Sequence, residues 1–508
     1  MREQRCDVLV AGGGLGGVAA ALAASARGLA VVMSEPSDWI GGQLTSQAVP
    51  PDEHRWIESH GCTATYRALR DGIREHYRRH FPLTDAARAS DELNPGACTV
   101  SRLGHEPRVA LAVLEELLAP ARASGRLRVL LQHAPVAATC DGDRVAAVTL
   151  RGPDGELIVW ADWFLDASET GALLPLAGAE HVTGFESVRD TGEPHAPAER
   201  QPDNLQPVTV CFALDHLDGE DHTIDRPAGY ERFAERFTWV APDPQTLRPV
   251  PRRLDPNPPE DPLAIGPDFD DSDLDKDLWR FRRIAARGLF LPGAYRSDIT
   301  LVNWPQVDYN DEPVLDGGYE GARTLSRSFL YWMQTHGWPG LRLRGDVVGD
   351  TRDGLAKAPY IRESRRLVAE RTVREQDIAL DVRGAHGAVR FDDSVGVGHY
   401  RIDLHPSTGG DPYLDLATCP FQLPLGALLP VRVDNLLAAG KAIGTTHITN
   451  GAYRLHPIEW NAGEAAGHLA AFCSHHRVPP RAVRARPALL ETFQRTLDAA
   501  GVQRDWPR

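Results

Sequence analysis

The 508-residue sequence has seven cysteines but no Cys-x-x-Cys pair and no Cys/His spacing suited to a metal. The thiols at 6, 62, 98, 140, 211, 419 and 473 therefore read as reduced groups of a reducing compartment, and no metal ligand is expected. Excess positive charge is also missing. The 55 Lys and Arg against 70 Asp and Glu leave a formal net charge of −15, which repels polyphosphate backbones and anionic bilayers and so argues against nucleic acid or a membrane as the main partner. Long apolar runs are absent too. The opening MREQRCD passes directly into a strand pattern with no signal-peptide core, and the Gly/Ala-rich run after Gly12 is broken by Ser25 and Arg27 before bilayer-spanning length. The expected localisation is cytoplasmic. At 42% hydrophobic and 25% charged residues the chain can bury a large core, and its length suggests two domains. It carries no internal repeat.

What is present begins at residue 10 with VAGGGLGGVAAALAASARGLAVVMSEPSDWIGGQLT. Asp7 to Ala11 reads as a fully buried strand, Leu15 to Arg27 as a helix of small residues, and Leu29 to Ser34 as a second buried strand. Gly12, Gly14 and Gly17 follow G-x-G-x-x-G at the strand-to-helix turn, with Leu15 and Gly16 in the first helical turn. The first glycine permits the tight turn, the second admits a pyrophosphate to the backbone, and the third brings helix against strand. Glu35, followed by Pro36, closes the second strand where a carboxylate accepts hydrogen bonds from ribose hydroxyls. Motif, strand, helix and acid fall in register, which predicts a dinucleotide site on a βαβ unit, with the phosphates at the helix N-terminus.

Further along, periodicity predicts helices over 63–81 and 107–123, and strands over Leu127 to Leu131 and Arg144 to Leu150, the latter turning at GPDG, 152–155. Residues 241–275, crowded with Pro and Asp, read as a long surface excursion. The charged stretch PYIRESRRLVAERTVREQDI reads as helical, and the chain returns through a strand, Asn435 to Gly440, to an alanine-rich helix, Asn461 to Cys473.

The pair Gly41 and Gly42, followed by Gln43 in SDWIGGQLT, continues bare backbone beyond the ribose acid. This resembles the glutathione-reductase-like flavoproteins, in which that pair passes close to the flavin half of FAD. Four more segments are similar to the FAD-dependent oxidoreductase family widespread in bacteria: HAPVAATCDGDRVAAVTLRGPDG (133–155), ADWFLDASETGALLPLAGAE (161–180), YIRESRRLVAERTVREQD (360–377) and VDNLLAAGKAIGTTHITNGAYRLHPIEWNAGEAAGHLAA (433–471). The resemblance implies FAD as cofactor and an α/β fold: a discontinuous Rossmann-like FAD-binding domain over 1–185 and 415–475, and a mixed α+β substrate domain over 186–414. Residues 476–508 form a C-terminal tail or helix. It further implies that the backbone at Val136 lies against the adenine, and that Asp166, Ala167, Gly440, Trp460 and Asn461 join the cofactor site. Asn461 and Gly463 would begin a helix whose N–H groups face the N1–C2=O edge of the flavin ring. The chain departs from the family at Asp-Ala-Ser-Glu-Thr-Gly (166–171), where DATGDG is usual, and at AGKAIG (439–444), which lacks the acid many relatives carry. Small-residue backbone contacts to the ribityl chain would take that acid's place.

For the chemistry, His447 in GTTHITNG is the leading base, titrating near neutrality on a loop expected to face the flavin. The alternative is a histidine that packs under the ring or merely binds the cofactor. Tyr453 and His456 could line the same face, His456 more simply as a core residue. Arg454 would either anchor an anionic substrate or pair with Glu459. Arg362, Arg365 and Arg366 would form an anion clamp or a solvated helix face paired with Glu363 and Glu370. Trp304, Trp332 and Trp338 offer stacking surface, with core packing as the default. No second G-x-G-x-x-G follows residue 100, since GVGHY (396–400) lacks the third glycine; the electron donor is then the substrate itself. The expected reaction is oxidation of a small molecule by hydride transfer to flavin N5, with reoxidation by oxygen or another acceptor. The alternatives are a flavin monooxygenase or reductase supplied with electrons by a partner, and a redox-silent FAD-binding protein. The oligomeric state is not legible.

Overall fold

Apolar runs without polar alternation make strands buried on both faces; four of them, with a fifth strand that carries the exposed Arg128, form the central parallel sheet. In the computed structural model, which describes residues 2–265, 277–315 and 317–507, the order across this sheet is Leu436–Ala438, Trp163–Asp166, Val8–Ala11, Val31–Glu35 and Leu127–Leu131. Val8 lies opposite both Val31 and Trp163, and Leu436 opposite Phe164. The predicted strands thus stand within a residue or two of their expected ends. An antiparallel meander, Ala134–Asp141, Arg144–Gly152 and Gly155–Trp160, leaves this sheet and returns to it, with Arg2–Arg5 added in parallel to its last strand.

The small residues of the first helix, Leu15–Ala26, have a packing cause. This helix lies along the long C-terminal helix His456–His476 so closely that a Cβ on Gly463 would stand 1.9 Å from the Gly16 carbonyl oxygen, and one on Gly467 would stand 2.4 Å from that of Ala20. A Cβ on Gly17 would likewise meet the Gly12 carbonyl oxygen at 1.9 Å. Backbone lies on backbone along this seam, and only glycine fits it.

A second core gathers Val210, Phe212, Trp304, Phe329 and Trp332. Its antiparallel sheet runs Arg283–Ala285, Ile299–Val302, Phe212–His216 and Leu341–Leu343, and the helix Glu320–Thr335 packs in the same core. Trp304 meets Phe329 edge-on at 6.2 Å, and Trp332 stacks on Phe329 at 5.8 Å. Trp338, partly buried, sits against His216 at 5.7 Å. Core packing accounts for these tryptophans.

Two expectations are corrected. Residues 359–378 are not a helix: Tyr360–Ile361 pairs with Val208–Thr209, Arg366–Leu367 pairs with His181–Val182, and only Glu375–Ile378 is helical. Strand pairing has overridden the i, i+4 charge spacing, and Arg362 and Arg366 are buried rather than solvated. The last long helix starts at His456, with Pro457 in its first turn, so Asn461 stands inside the helix and not at its N-terminus. Two further helices, Pro480–Ala485 and Pro487–Ala499, occupy the C-terminal segment. The Pro/Asp-rich excursion contains a short hairpin, Val240–Pro242 with Pro249–Pro251; its residues 266–275 lie outside the described residues. Among the described residues no helix is long and apolar enough to cross a membrane.

Candidate active site

At the C-terminal edge of the parallel sheet lies a cavity of about 660 Å³, lined among others by Gly12, Gly14, Glu35, Gly42, Val136 and Ala167. Such an edge is where open α/β sheets bind ligands. Gly12 adopts φ +103°, and a Cβ there would stand 2.3 Å from the Ala167 carbonyl oxygen. Gly14 caps the first helix without a side chain to satisfy its N–H groups, and the Glu459 carboxylate takes that of Gly16 at 3.3 Å. Glu35 Oε2 accepts from Gly13 N and Oε1 from Ser37 N, each at 2.9 Å. Burial pushes its carboxyl up to about 7 in spite of these two bonds.

These features fit an FAD: a glycine turn at a helix N-terminus suits a pyrophosphate, and Glu35, Pro135 and Val136 line the same cavity. What would stand beside Gly14 is a flexible carboxylate, since a Cβ there meets only Glu169 Oε1 at 2.9 Å and Glu459 Oε1 at 3.4 Å among its nearest side chains. Glu169 is ion-paired with Lys441. Burial, together with the Glu169 charge, holds the Glu459 carboxyl up to about 7.

Other expected cofactor residues stand behind this wall. Gly41 fixes the loop, its N–H donating to the Gly13 carbonyl at 2.7 Å. Gln43 is buried and donates to Glu459 and, at 3.0 Å, to the Arg454 carbonyl. The buried Asp166 carboxylate accepts from Ser168 and Leu173 and shapes the turn after its strand. Leu15 is a core residue, and a Cβ on Gly16 would strike the Ala439 carbonyl oxygen at 2.0 Å, so Gly16 serves close packing, whereas a Cβ on Gly440 would meet Ala167 only at 3.4 Å. Trp460 donates to Thr65 at 2.8 Å, and Asn461 to the Val395 carbonyl at 3.2 Å. Pro36 lines the cavity.

Neither catalytic candidate from the sequence lines it. His447 lies flat on Phe185, ring centroids 4.1 Å apart, with Nδ1 2.9 Å from Glu186 Oε2. The Arg366 charge and the hydrogen bond to His447 overcome burial and hold the Glu186 carboxyl down at about 2. The ring is thus buried against Phe185 and Glu186 and is not among the residues lining the cavity. Tyr453 stacks on Phe421 at 4.4 Å and donates to the Gln422 carbonyl at 2.7 Å. His456 accepts from the backbone N–H of Asp52 at 3.1 Å.

A second chamber, about 210 Å³, is lined by Asp52, Arg282, Tyr360, Arg362, Tyr400, Asp403, His405 and Arg454, among others. Arg454 donates to the Tyr360 hydroxyl at 2.9 Å and pairs with Asp403 at 3.2 Å, so its ion-pair partner is Asp403 rather than Glu459. Arg362 pairs with Asp308 at 2.8 Å and donates to Thr209 at 2.8 Å. Arg365, by contrast, lies on the first cavity, so the three arginines form no joint clamp. Asp308 and Asp403 flank His405 at 2.6 and 3.4 Å. Burial and Arg362 oppose its protonation, but the two carboxylates prevail and raise its pKa. Burial pushes the Tyr400 hydroxyl well up, so it remains a hydrogen-bond donor. Lys441, fully buried, donates to the Ile361 carbonyl at 2.7 Å and sits 5.7 Å from the Tyr360 ring centre. The sequence pointed to Arg362 and Arg454 alone. Asp52, Arg282, Tyr400 and His405 come from separate segments with no shared motif, and Lys441 was legible only as a missing acid.

A family model described as FAD dependent oxidoreductase matches residues 7–497. No curated protein matches the chain. Among solved structures, it is similar to p-nitrophenol 4-monooxygenase from Pseudomonas putida, 14% identical over 98% of this chain and 89% of that one, TM-score 0.38. A geranylgeranyl bacteriochlorophyll reductase-like protein from Thermoplasma acidophilum is 12% identical over 99% and 85%, TM-score 0.35. The likeness to L-proline dehydrogenase from P.horikoshii, 15% identical over 37% of this chain, spans only 26% of that protein, TM-score 0.20.

Proposed function

The chain belongs to the FAD dependent oxidoreductase family, and from that premise we propose that it oxidises a small molecule by hydride transfer. The observation that carries this reading is that Tyr360 and Ile361, consecutive in the chain, line the charged chamber and the glycine cavity respectively. The sheet order, with an antiparallel meander inserted before the strand Trp163–Asp166, supports the glutathione-reductase-like class. In this reading Gly12 and Gly14 hold the pyrophosphate, Glu35 the ribose, and Val136 the adenine. Gly42, Ser46 and Gln47, also on the cavity wall, lie toward the flavin half. When bound, FAD supplies the two-electron acceptor for a substrate hydride.

The remaining work falls to side chains. Asp52 and Asp403 accept the substrate's O–H or N–H, the chamber's arginines and Tyr400 donate to it, and Lys441 puts a buried positive charge beside Ile361 and Tyr360. Fixed charges aimed at the reacting groups are the strongest aid a water-poor site offers. His447 and Tyr453 act from outside both cavities as positioning residues, holding the segment that follows Lys441. The substrate is the electron donor, and oxygen or another acceptor takes the electrons onward.

The test is anaerobic. The purified protein is expected to be yellow, to keep its visible flavin band in millimolar NADH or NADPH for minutes, and to lose it with a small organic substrate. Rapid stoichiometric bleaching by either pyridine nucleotide overturns this reading in favour of a monooxygenase or reductase.

A further inference from the structure

We infer that the arginine chamber is a carboxylate site, built for a small acid bearing a hydroxyl or amine beside its carboxylate. The inference rests on the reading of the neighbouring cavity as the FAD site and names the substrate class that reading leaves open.

Three guanidinium groups carry the argument. Arg282, Arg362 and Arg454 are 9%, 3% and 2% exposed. Each spends its terminal nitrogens on protein acceptors, yet the Nε–H of each is buried without a partner among the described residues. Leaving a buried donor unsatisfied is costly, more so on a charged group, and three such donors on arginines that line one chamber are accounted for by an acceptor that a ligand brings. The pair between Arg282 and Asp52, at 3.2 and 3.5 Å, is loose beside the ~2.7–2.9 Å of a well-formed charge-assisted bond. Asn303, on the same wall, also leaves its buried carbonyl oxygen without a donor, a place for a ligand hydroxyl or amine.

The charge around the chamber limits the ligand. Five arginines and His405 line it, against Asp52, Asp403 and Asp415, with Asp308 behind them. The cations are in excess, so an anion is favoured, but the margin is small and a second ligand charge would meet the aspartates. A ligand with a single carboxylate fits this balance, with its neighbouring O–H or its amine or ammonium N–H donating to Asp52 or Asp403. Size agrees, since about 210 Å³ lies below the ~300–1,000 Å³ of drug-sized pockets. The Tyr360 ring helps to hold the cationic wall in place: the guanidinium carbons of Arg362 and Arg454 lie 5.0 and 5.9 Å from its centre.

Calorimetric titration of the FAD-loaded protein with lactate, alanine and lactamide tests the inference. At least one of the acids is expected to bind, with lactamide, which replaces the carboxylate by a neutral amide, weaker by about tenfold or more. Arg282→Gln should weaken the acid by a similar factor and Arg282→Lys, which keeps the charge, by less, with the FAD content unchanged in both. Equal affinity for acid and amide, or failure of both acids to bind a fully FAD-loaded protein, overturns the carboxylate assignment while leaving the cofactor reading intact. A protein that takes up no FAD overturns the cofactor reading instead, and its lack of colour shows this before any ligand is added.

Discussion

The glycine cavity and the arginine chamber share one stretch of chain, in which Ile361 lines the first and Tyr360 and Arg362 line the second, and they are built from opposite materials. The first is shaped by backbone: its key positions are Gly12, Gly14 and Gly42, where a side chain would fill space or meet another strand's carbonyl. The second is shaped by long charged side chains brought from residues 52, 282, 360–362, 400–405 and 454, and held by ion pairs. A site made of backbone tolerates little change of sequence, because its geometry is the fold itself. One made of side chains is free to change what it recognises while the fold stays.

The sharpest break in this comparison comes from the seam under the first cavity. Gly17→Val would place a side chain on the Gly12 carbonyl oxygen, where even a Cβ stands at 1.9 Å. We expect a loss of roughly 4 kcal/mol or more, seen as insoluble protein or a collapsed thermal transition. A folded Gly17→Val protein with normal stability would contradict the packing account of the motif's third glycine.

His447 gives a smaller effect. His447→Gln removes the stack on Phe185 and loosens Glu186, and should cost about 1–3 kcal/mol of stability. FAD content should hold, and the rate of flavin reduction by substrate should stay within about threefold. A loss of ~100-fold or more in that rate, the scale of a missing general base, would restore His447 to catalysis and overturn its role as a positioning residue.

The smallest effect is in the pH dependence of the chamber. His405 is raised above its ordinary value of 6.5 by Asp308 and Asp403, so its contribution is complete below that pH and is lost as pH rises through its folded pKa. Asp308 and Asp403 are held below the ordinary 3.8, against burial, by Arg362, Arg454 and His405; their contribution is complete above that value and is lost as pH falls through their folded pKa values. Stability from this cluster should therefore be greatest between about pH 4 and 6.5. Thermal midpoints measured upward from pH 6.5 should decline less in His405→Gln than in the parent. An identical decline would remove His405 from the account.

The same contrast explains what could be read in the sequence. The βαβ turn was legible because strand, glycines, helix and acid occupy residues 7 to 35 without a break, and a backbone motif has no freedom to hide. Helix 107–123 was legible for a similar reason, its period and Pro107 at the start being local facts. Residues 359–378 misled because the spacing of Arg362 and Arg366 suits a helix face, whereas pairing of Tyr360–Ile361 with Val208–Thr209, some 150 residues away, decides the structure. The last helix starts at His456, five residues before Asn461, and Pro457, which suits a first turn, is its local mark. Nothing local joins Asp52 to Arg282 or His405, so only the folded chain brings them together.

Whether the glycine cavity holds FAD is decided by the FAD content of Gly14→Val beside that of the parent protein. A Cβ at Gly14 meets no backbone closer than the Ala167 carbonyl oxygen at 4.0 Å, and its nearest neighbour is the flexible Glu169 carboxylate. The variant should therefore fold, unlike Gly17→Val, while its side chain takes the space the pyrophosphate needs. Flavin released by denaturing equal amounts of the two soluble proteins should be about one per chain in the parent and close to none in Gly14→Val. A soluble variant that is as yellow as its parent would contradict the account.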